Sequence, residues 1–106
     1  MARYLIRATY TAEGARGLIK EGGSSRRSTL EQLIKKIGGD LEAFYFAFGE
    51  DDVYVIADLP DNVTAAAVGL AVSGSGSVRT RTVVLLTPEE IDEATKKSVE
   101  YRAPGA

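Results

Sequence analysis

The sequence predicts an α+β domain of the ferredoxin-like, split βαβ type (βαββαβ): a four-stranded antiparallel sheet with helices on one face and a short C-terminal helix. Three observations predict it. Strand-like and helix-like stretches follow one another as strand, helix, strand, strand, helix, strand, with a helical appendix. The two middle strands are separated only by Gly49-Glu50-Asp51-Asp52, a hairpin-sized turn. Finally, the strands carry bulky apolar residues at both parities, as in Leu5 and Ile6, Phe44 and Tyr45, Val55 and Ile56, and Leu85 and Leu86. A sheet wet on one side alternates apolar with polar, so this pattern calls for a second layer on the face that the helices leave bare, and the simplest layer is another copy of the chain.

Each element has its own signature. Tyr4 to Tyr10 is rich in strand formers and ends at Thr11, a hydroxyl that caps the helix following it. That helix, from Ala12 to Lys20, is interrupted at Gly22-Gly23. The hydroxyls between Ser24 and Ser28 are caps available to a second helical stretch, in which Leu30, Leu33, Ile34 and Ile37 share one face. Gly38-Gly39 ends it by supplying a residue free to take positive φ. The broken first helix leads to strands over 41–48 and 53–59. Pro60-Asp61-Asn62 then stops one element and caps the next, an alanine-dominated helix over 63–72 that is slim enough to lie close to a sheet. Ser73 to Ser77 is a flexible connection before a strand over 78–86. Thr87-Pro88-Glu89-Glu90 combines a cap, a first-turn proline and a capping-box glutamate, predicting a helix to about residue 98. One domain over 1–99 is expected, with residues 100–106 as an irregular tail.

Composition excludes more chemistry than it indicates. The 106 residues include no histidine and no cysteine, so Ser–His–Asp hydrolysis, Cys–His catalysis and thiolate or imidazole metal sites are unavailable. A net charge of −2 denies nucleic acid the broad basic footprint it needs. No apolar run approaches the roughly 20 residues that span a bilayer, no membrane partner is expected, and a cytoplasmic location is the default expectation.

The run Phe48-Gly49-Glu50-Asp51-Asp52-Val53-Tyr54-Val55-Ile56 is followed by Pro60-Asp61, the alanine-rich helix and Ser77-Val78-Arg79-Thr80-Arg81-Thr82. Together with Gly38-Gly39 these resemble the GYD domain, over almost the whole chain from Tyr4 to about Thr87. Gly49 and Asp52 match the family's hairpin, and Asp51 stands where its tyrosine is usual. The resemblance implies a ferredoxin-like subunit related to the dimeric α/β-barrel proteins, and implies no activity and no cofactor.

Four segments carry candidate chemistry. Glu50, Asp51 and Asp52 read either as ligands of a hard cation or as a solvated turn in which glycine takes positive φ and an aspartate bonds nearby amides. The turn is the stronger reading, because a calcium loop needs more ligands at defined spacing, and no metal site is expected. Glu21 to Arg27 reads as an anion site or, more simply, as a helix break with two exposed arginines; it lacks the ending of a P-loop. Gly74-x-Gly76 precedes a strand, the wrong context for a dinucleotide. The fourth is spread across strands. Arg79 and Arg81 share a parity and, in a sheet whose last strand lies beside the first, face the same side as Arg3 and Arg7. Such crowding repels unless Glu42, Asp58 or an external anion offsets it. The expected ligand-binding set is therefore Arg7, Arg79, Arg81, Tyr54 and Asp58, with Tyr10 and Tyr45 as further stacking or hydrogen-bonding candidates. Two functions follow: a homo-oligomeric module binding a small anionic molecule or a protein partner, or, by analogy with the dimeric α/β-barrel group, a cofactor-independent isomerase or monooxygenase-like enzyme.

Overall fold

The computed structural model describes residues 1–106. Its elements in chain order are β1 (Ala2–Tyr10), α1 (Ala12–Glu21), α2 (Gly23–Lys36), β2 (Asp40–Phe46), β3 (Val53–Leu59), α3 (Asn62–Gly74), β4 (Val78–Leu85) and α4 (Pro88–Thr95). The four strands form one antiparallel sheet in the order β2-β3-β1-β4. This is the α+β split fold that the sequence predicts.

Strand alternation sorts the sheet into two faces. Tyr4, Ile6 and Ala8 of β1 and Val53, Val55, Ala57 and Leu59 of β3 are buried against the helices, joined by Ile34 of α2, Ala65 of α3 and Val78 of β4. Leu30, Leu33 and Ile37 pack around this core as the helical spacing predicts. The intervening positions, among them Leu5, Arg7, Tyr54, Ile56 and Val83, lie on the opposite face, which no helix covers within the chain.

The boundaries differ from expectation for identifiable reasons. The second helical stretch begins at Gly23 rather than beyond the serines, because Gly22, at φ 90°, both ends α1 and turns the chain into α2 without a side-chain cap. Ser25 lies inside α2 and donates to Glu21 Oε1 at 3.1 Å. β2 ends at Phe46, short of Phe48, because the Ala47 N–H closes the hairpin on the Asp52 carbonyl at 2.8 Å. A bulge lies between Leu41 and Ala43. α3 runs through Ser73 and Gly74, shortening the expected flexible connection, and α4 stops at Thr95. The predicted caps are present at Thr11, Asp61 and Thr87, the last as a full capping box with Glu90. Gly38 takes the expected positive φ, at 86°.

Tyr4 is the largest buried side chain, and its hydroxyl donates to Asn62 Oδ1 at 2.6 Å, tying β1 to the first turn of α3. Tyr4→Phe keeps the packing and removes this bond, so it should cost about 1 kcal/mol. Chemical denaturation checks this, and an unchanged midpoint would show that solvent replaces the bond without penalty.

The C-terminal arm stands apart from this core. No residue of α4 is buried, and all of residues 96–106 are exposed. The radius of gyration is 17.0 Å, against about 13 Å for a compact chain of this length, and the longest dimension is 57 Å. No helix is long and apolar enough to cross a membrane.

Candidate functional site

The uncovered sheet face carries two clusters of charge with apolar surface between them. At one end Arg3 Nε donates to Asp58 Oδ1 at 3.0 Å and lies 3.0 Å from Glu42 Oε2, on the bulge of β2. Asp58 is the direct cross-strand partner of Arg3, so this pair follows from register. Leu5, Ile56 and Val83 then occupy one row across β1, β3 and β4. Beyond them, four residues or about 13 Å further along β1, lies the second cluster.

There Arg7 and Arg81 sit directly opposite each other on β1 and β4, and Tyr54 is opposite Arg7 on its other side. Two guanidiniums at one rung repel. The group that holds them is Asp51. Its Oδ2 accepts from Arg7 Nε at 2.8 Å, and its Oδ1 accepts from Arg81 Nη2 at 2.8 Å and from the Thr9 hydroxyl at 3.3 Å. Asp51 is 1% exposed, whereas Arg81 remains 57% exposed and Arg7 30%. The Arg81 and Arg7 guanidiniums, in that order, hold the Asp51 carboxyl below its ordinary range, against a smaller opposing push from desolvation. An ionised carboxylate with both oxygens engaged is an electrostatic anchor and makes a poor proton carrier near neutral pH.

The acidic turn is therefore not simply solvated. Gly49 does not take positive φ, and only Phe48 to Glu50 face water. Asp52 does bond a nearby amide as expected, accepting the Tyr10 N–H at 2.9 Å, while its own N–H donates to Ala8 O at 2.8 Å. These two bonds extend the β1–β3 ladder past Val53 and bring Asp51 over the arginines. Asp51 and Asp52 are thus diverted to different partners while Glu50 faces water, and no cluster of three acidic residues gathers for a cation.

Of the five predicted ligand-binding residues, Arg7, Arg81 and Tyr54 come together, Arg79 lies two rungs on, opposite Thr9 on the same face, and Asp58 belongs to the other end of the face with Arg3. Arg79 is exposed and has no carboxylate partner. It lines, with Thr9, Thr80 and Arg81, a recess of about 430 Å³ that contains no apolar and no acidic residue. Sequence reasoning missed Asp51 as the counter-charge. The one signal for it was the excess of arginine on β1 and β4 beside an acidic turn.

Elsewhere, Arg27 is exposed as expected, but Arg26 is half-buried between the helices. Gly76, at φ 80°, serves the α3–β4 turn, where its carbonyl and that of Ser77 accept from the Thr11 hydroxyl at 2.9 and 3.2 Å.

Fold and site together define a small α+β domain with one sheet face that no helix covers, on which Arg7 and Arg81 are organised by a single buried aspartate. The family model described as the GYD domain matches residues 4–95, and the chain belongs to that family. No curated protein and no solved structure matches it.

Proposed function

We propose that the protein is a self-associating, non-catalytic subunit that buries its open sheet face against a second copy and holds a small anion beside Arg79 and Arg81. The observation that carries this reading is the makeup of the face. Its middle is apolar, with Leu5, Ile56, Val83 and Tyr45, the last two 43% and 70% exposed. Its charges are largely matched in place, Arg3 by Asp58 and Glu42, and Arg7 with Arg81 by Asp51. Such a surface loses apolar contact with water on docking and leaves Arg79 as the charge that still needs a partner. The sheet itself spans roughly 20 by 23 Å, short of the about 800 Å² that a stable partner surface contributes. The projecting arm, with Ile91, Val99 and Tyr101 exposed, extends it. A cytoplasmic protein of this kind needs neither nucleic acid nor a membrane as partner.

The recess at Arg79 is short of negative charge, since the Arg79 guanidinium is free and Arg81 shares the single Asp51 carboxylate with Arg7. That arrangement suits a phosphate or dicarboxylate. The isomerase or monooxygenase reading needs a group that moves a proton, and Asp51 does not supply one. Phosphate or malonate at about ten times its Kd should raise the Tm by about 5 °C, and Arg79→Ala should abolish the gain. No shift with either anion, together with tight and salt-sensitive DNA binding, would reverse the ranking of partners.

A further inference from the structure

The helical side of the sheet, opposite the face that carries the anion recess, holds a second feature. Between α2 and α3 lies an inner cavity of about 50 Å³, walled mainly by apolar residues such as Ile6, Val55, Val68 and Val72 and floored by the centre of the sheet. It adjoins an outer cleft of about 320 Å³ between α1, α2 and α3, and the two share Tyr10, Arg26, Val72 and Val78 in their walls. Gly69 lines the inner space and also a more open recess between α3 and β4, and a Cβ there would meet only Thr80 Oγ1, at 3.7 Å, so the glycine is not demanded by close packing. An interior glycine costs a helix about 1 kcal/mol relative to alanine.

The boundary between the two spaces is polar in a specific way. Arg26 is half-buried and forms no ion pair, although Glu13 and Glu21 also line the outer cleft. Glu21 instead accepts the Ser25 hydroxyl. Beside Arg26 is Tyr10, whose hydroxyl is pushed up in pKa chiefly by burial and to a lesser degree by Glu21 and Asp52, with the charge and hydrogen bonding of Arg26 pulling the other way. A protonated phenol and a guanidinium without a carboxylate partner at the lip of an apolar hole present neighbouring donors to an anionic head group, while the hole accepts an apolar tail. Burying a guanidinium without a carboxylate is costly, and a ligand carboxylate would relieve that cost.

We propose that this cleft is a binding site for small amphipathic carboxylates, the carboxylate held by Arg26 and Tyr10 at the mouth and a short hydrocarbon chain or ring inserted beneath Gly69. The outer cleft brings the combined space within the size range of small-molecule sites, and the narrow inner part limits the tail to a few carbons. The site is independent of the sheet-face reading: it uses no residue of the Arg7–Asp51–Arg81 group and stays accessible when that face is covered.

Hexanoate serves as the probe, with acetate and hexanol as controls lacking tail or charge. In amide NMR spectra, hexanoate should shift the resonances of Ala8, Gly69 and Val72, saturably, and raise the Tm, while acetate and hexanol bind at least about tenfold more weakly. Arg26→Gln should weaken hexanoate about tenfold without changing the phosphate response at Arg79. Gly69→Val, whose methyls fill the hole, should abolish hexanoate binding while leaving the fold's spectrum intact. The proposal is overturned if hexanoate shifts none of these amides, if both variants bind it as the parent does, or if its effect is removed by Arg79→Ala instead. Loss of the phosphate response alone would count against the sheet-face site and leave this one standing.

Discussion

Replacing Asp51 with asparagine should lower the Tm by about 10 °C or more, the largest effect expected of any single polar substitution in the chain. The amide has nearly the shape of the carboxylate, so the loss is electrostatic. Arg7 and Arg81 would face each other across β1 and β4 with no counter-charge, while the site around position 51 stays closed to water. Asp58→Asn is the matched control, since its partner Arg3 is 44% exposed and such pairs contribute little. The same residue sets a pH dependence of definite sign. The folded-state pKa of Asp51 is depressed, so its stabilisation is present above the unfolded carboxylate value of about 4 and is lost as pH falls through the lower folded value. Asp61, held down by the Thr64 amide it caps, acts in the same direction. Thermal melts from neutral pH into acid should therefore show a steep loss for the parent and a shallower one for Asp51→Asn, in which only Asp61 and weaker groups remain. Parallel curves for the two proteins would mean that the two arginines are not held by this carboxylate.

Charging the middle of the open face should abolish self-association outright. Ile56 lies between Leu5 and Ala43, at the centre of the sheet's uncovered side. In Ile56→Lys a docked interface would have to bury an unpaired ammonium, a cost larger than the apolar contact it replaces. Light scattering should report a multiple of 11.3 kDa for the parent and the single-chain mass for the variant. The lone domain keeps its helix-side core, so the variant should still melt cooperatively. Deleting residues 88–106 tests the arm separately. If the arm reaches a second copy, the truncated protein dissociates at higher concentration than the parent, with its circular dichroism reduced only by the missing helix. A parent that runs as a single chain at micromolar concentration would sink the reading of this face as an interface.

Much of the architecture is legible because it rests on local rules. Thr11, Asp61 and the Thr87–Glu90 capping box mark helix starts through hydrogen bonds that close within three residues. The 30–33–34–37 spacing marks the inward face of α2, and apolar residues at both strand parities mark a sheet with one face left over. Register-level pairings were partly legible too. Once β4 lies beside β1, shared parity puts Arg79 and Arg81 with Arg7, and Asp58 falls opposite Arg3. The errors came where the chain leaves regular geometry. Continuing the alternation of β3 backwards from Tyr54 would put Asp52, not Asp51, on the open face. The turn breaks that alternation, sending the Asp51 side chain to the arginines and the Asp52 side chain to a backbone amide of β1.

The sequence by itself determined which residues are charged, which faces are apolar and where helices begin, because capping, propensity and periodicity act between residues close along the chain. Only the tertiary structure decided that Asp51, 44 positions from Arg7 and 30 from Arg81, is the carboxylate that joins them. Only it decided that Arg26 stands at the lip of a cavity without a carboxylate partner. Both outcomes depend on how the hairpin turn and the Gly22 break aim their side chains. That direction is set by long-range packing and by the desolvation of buried charge, neither of which leaves a local pattern in the residues that experience it.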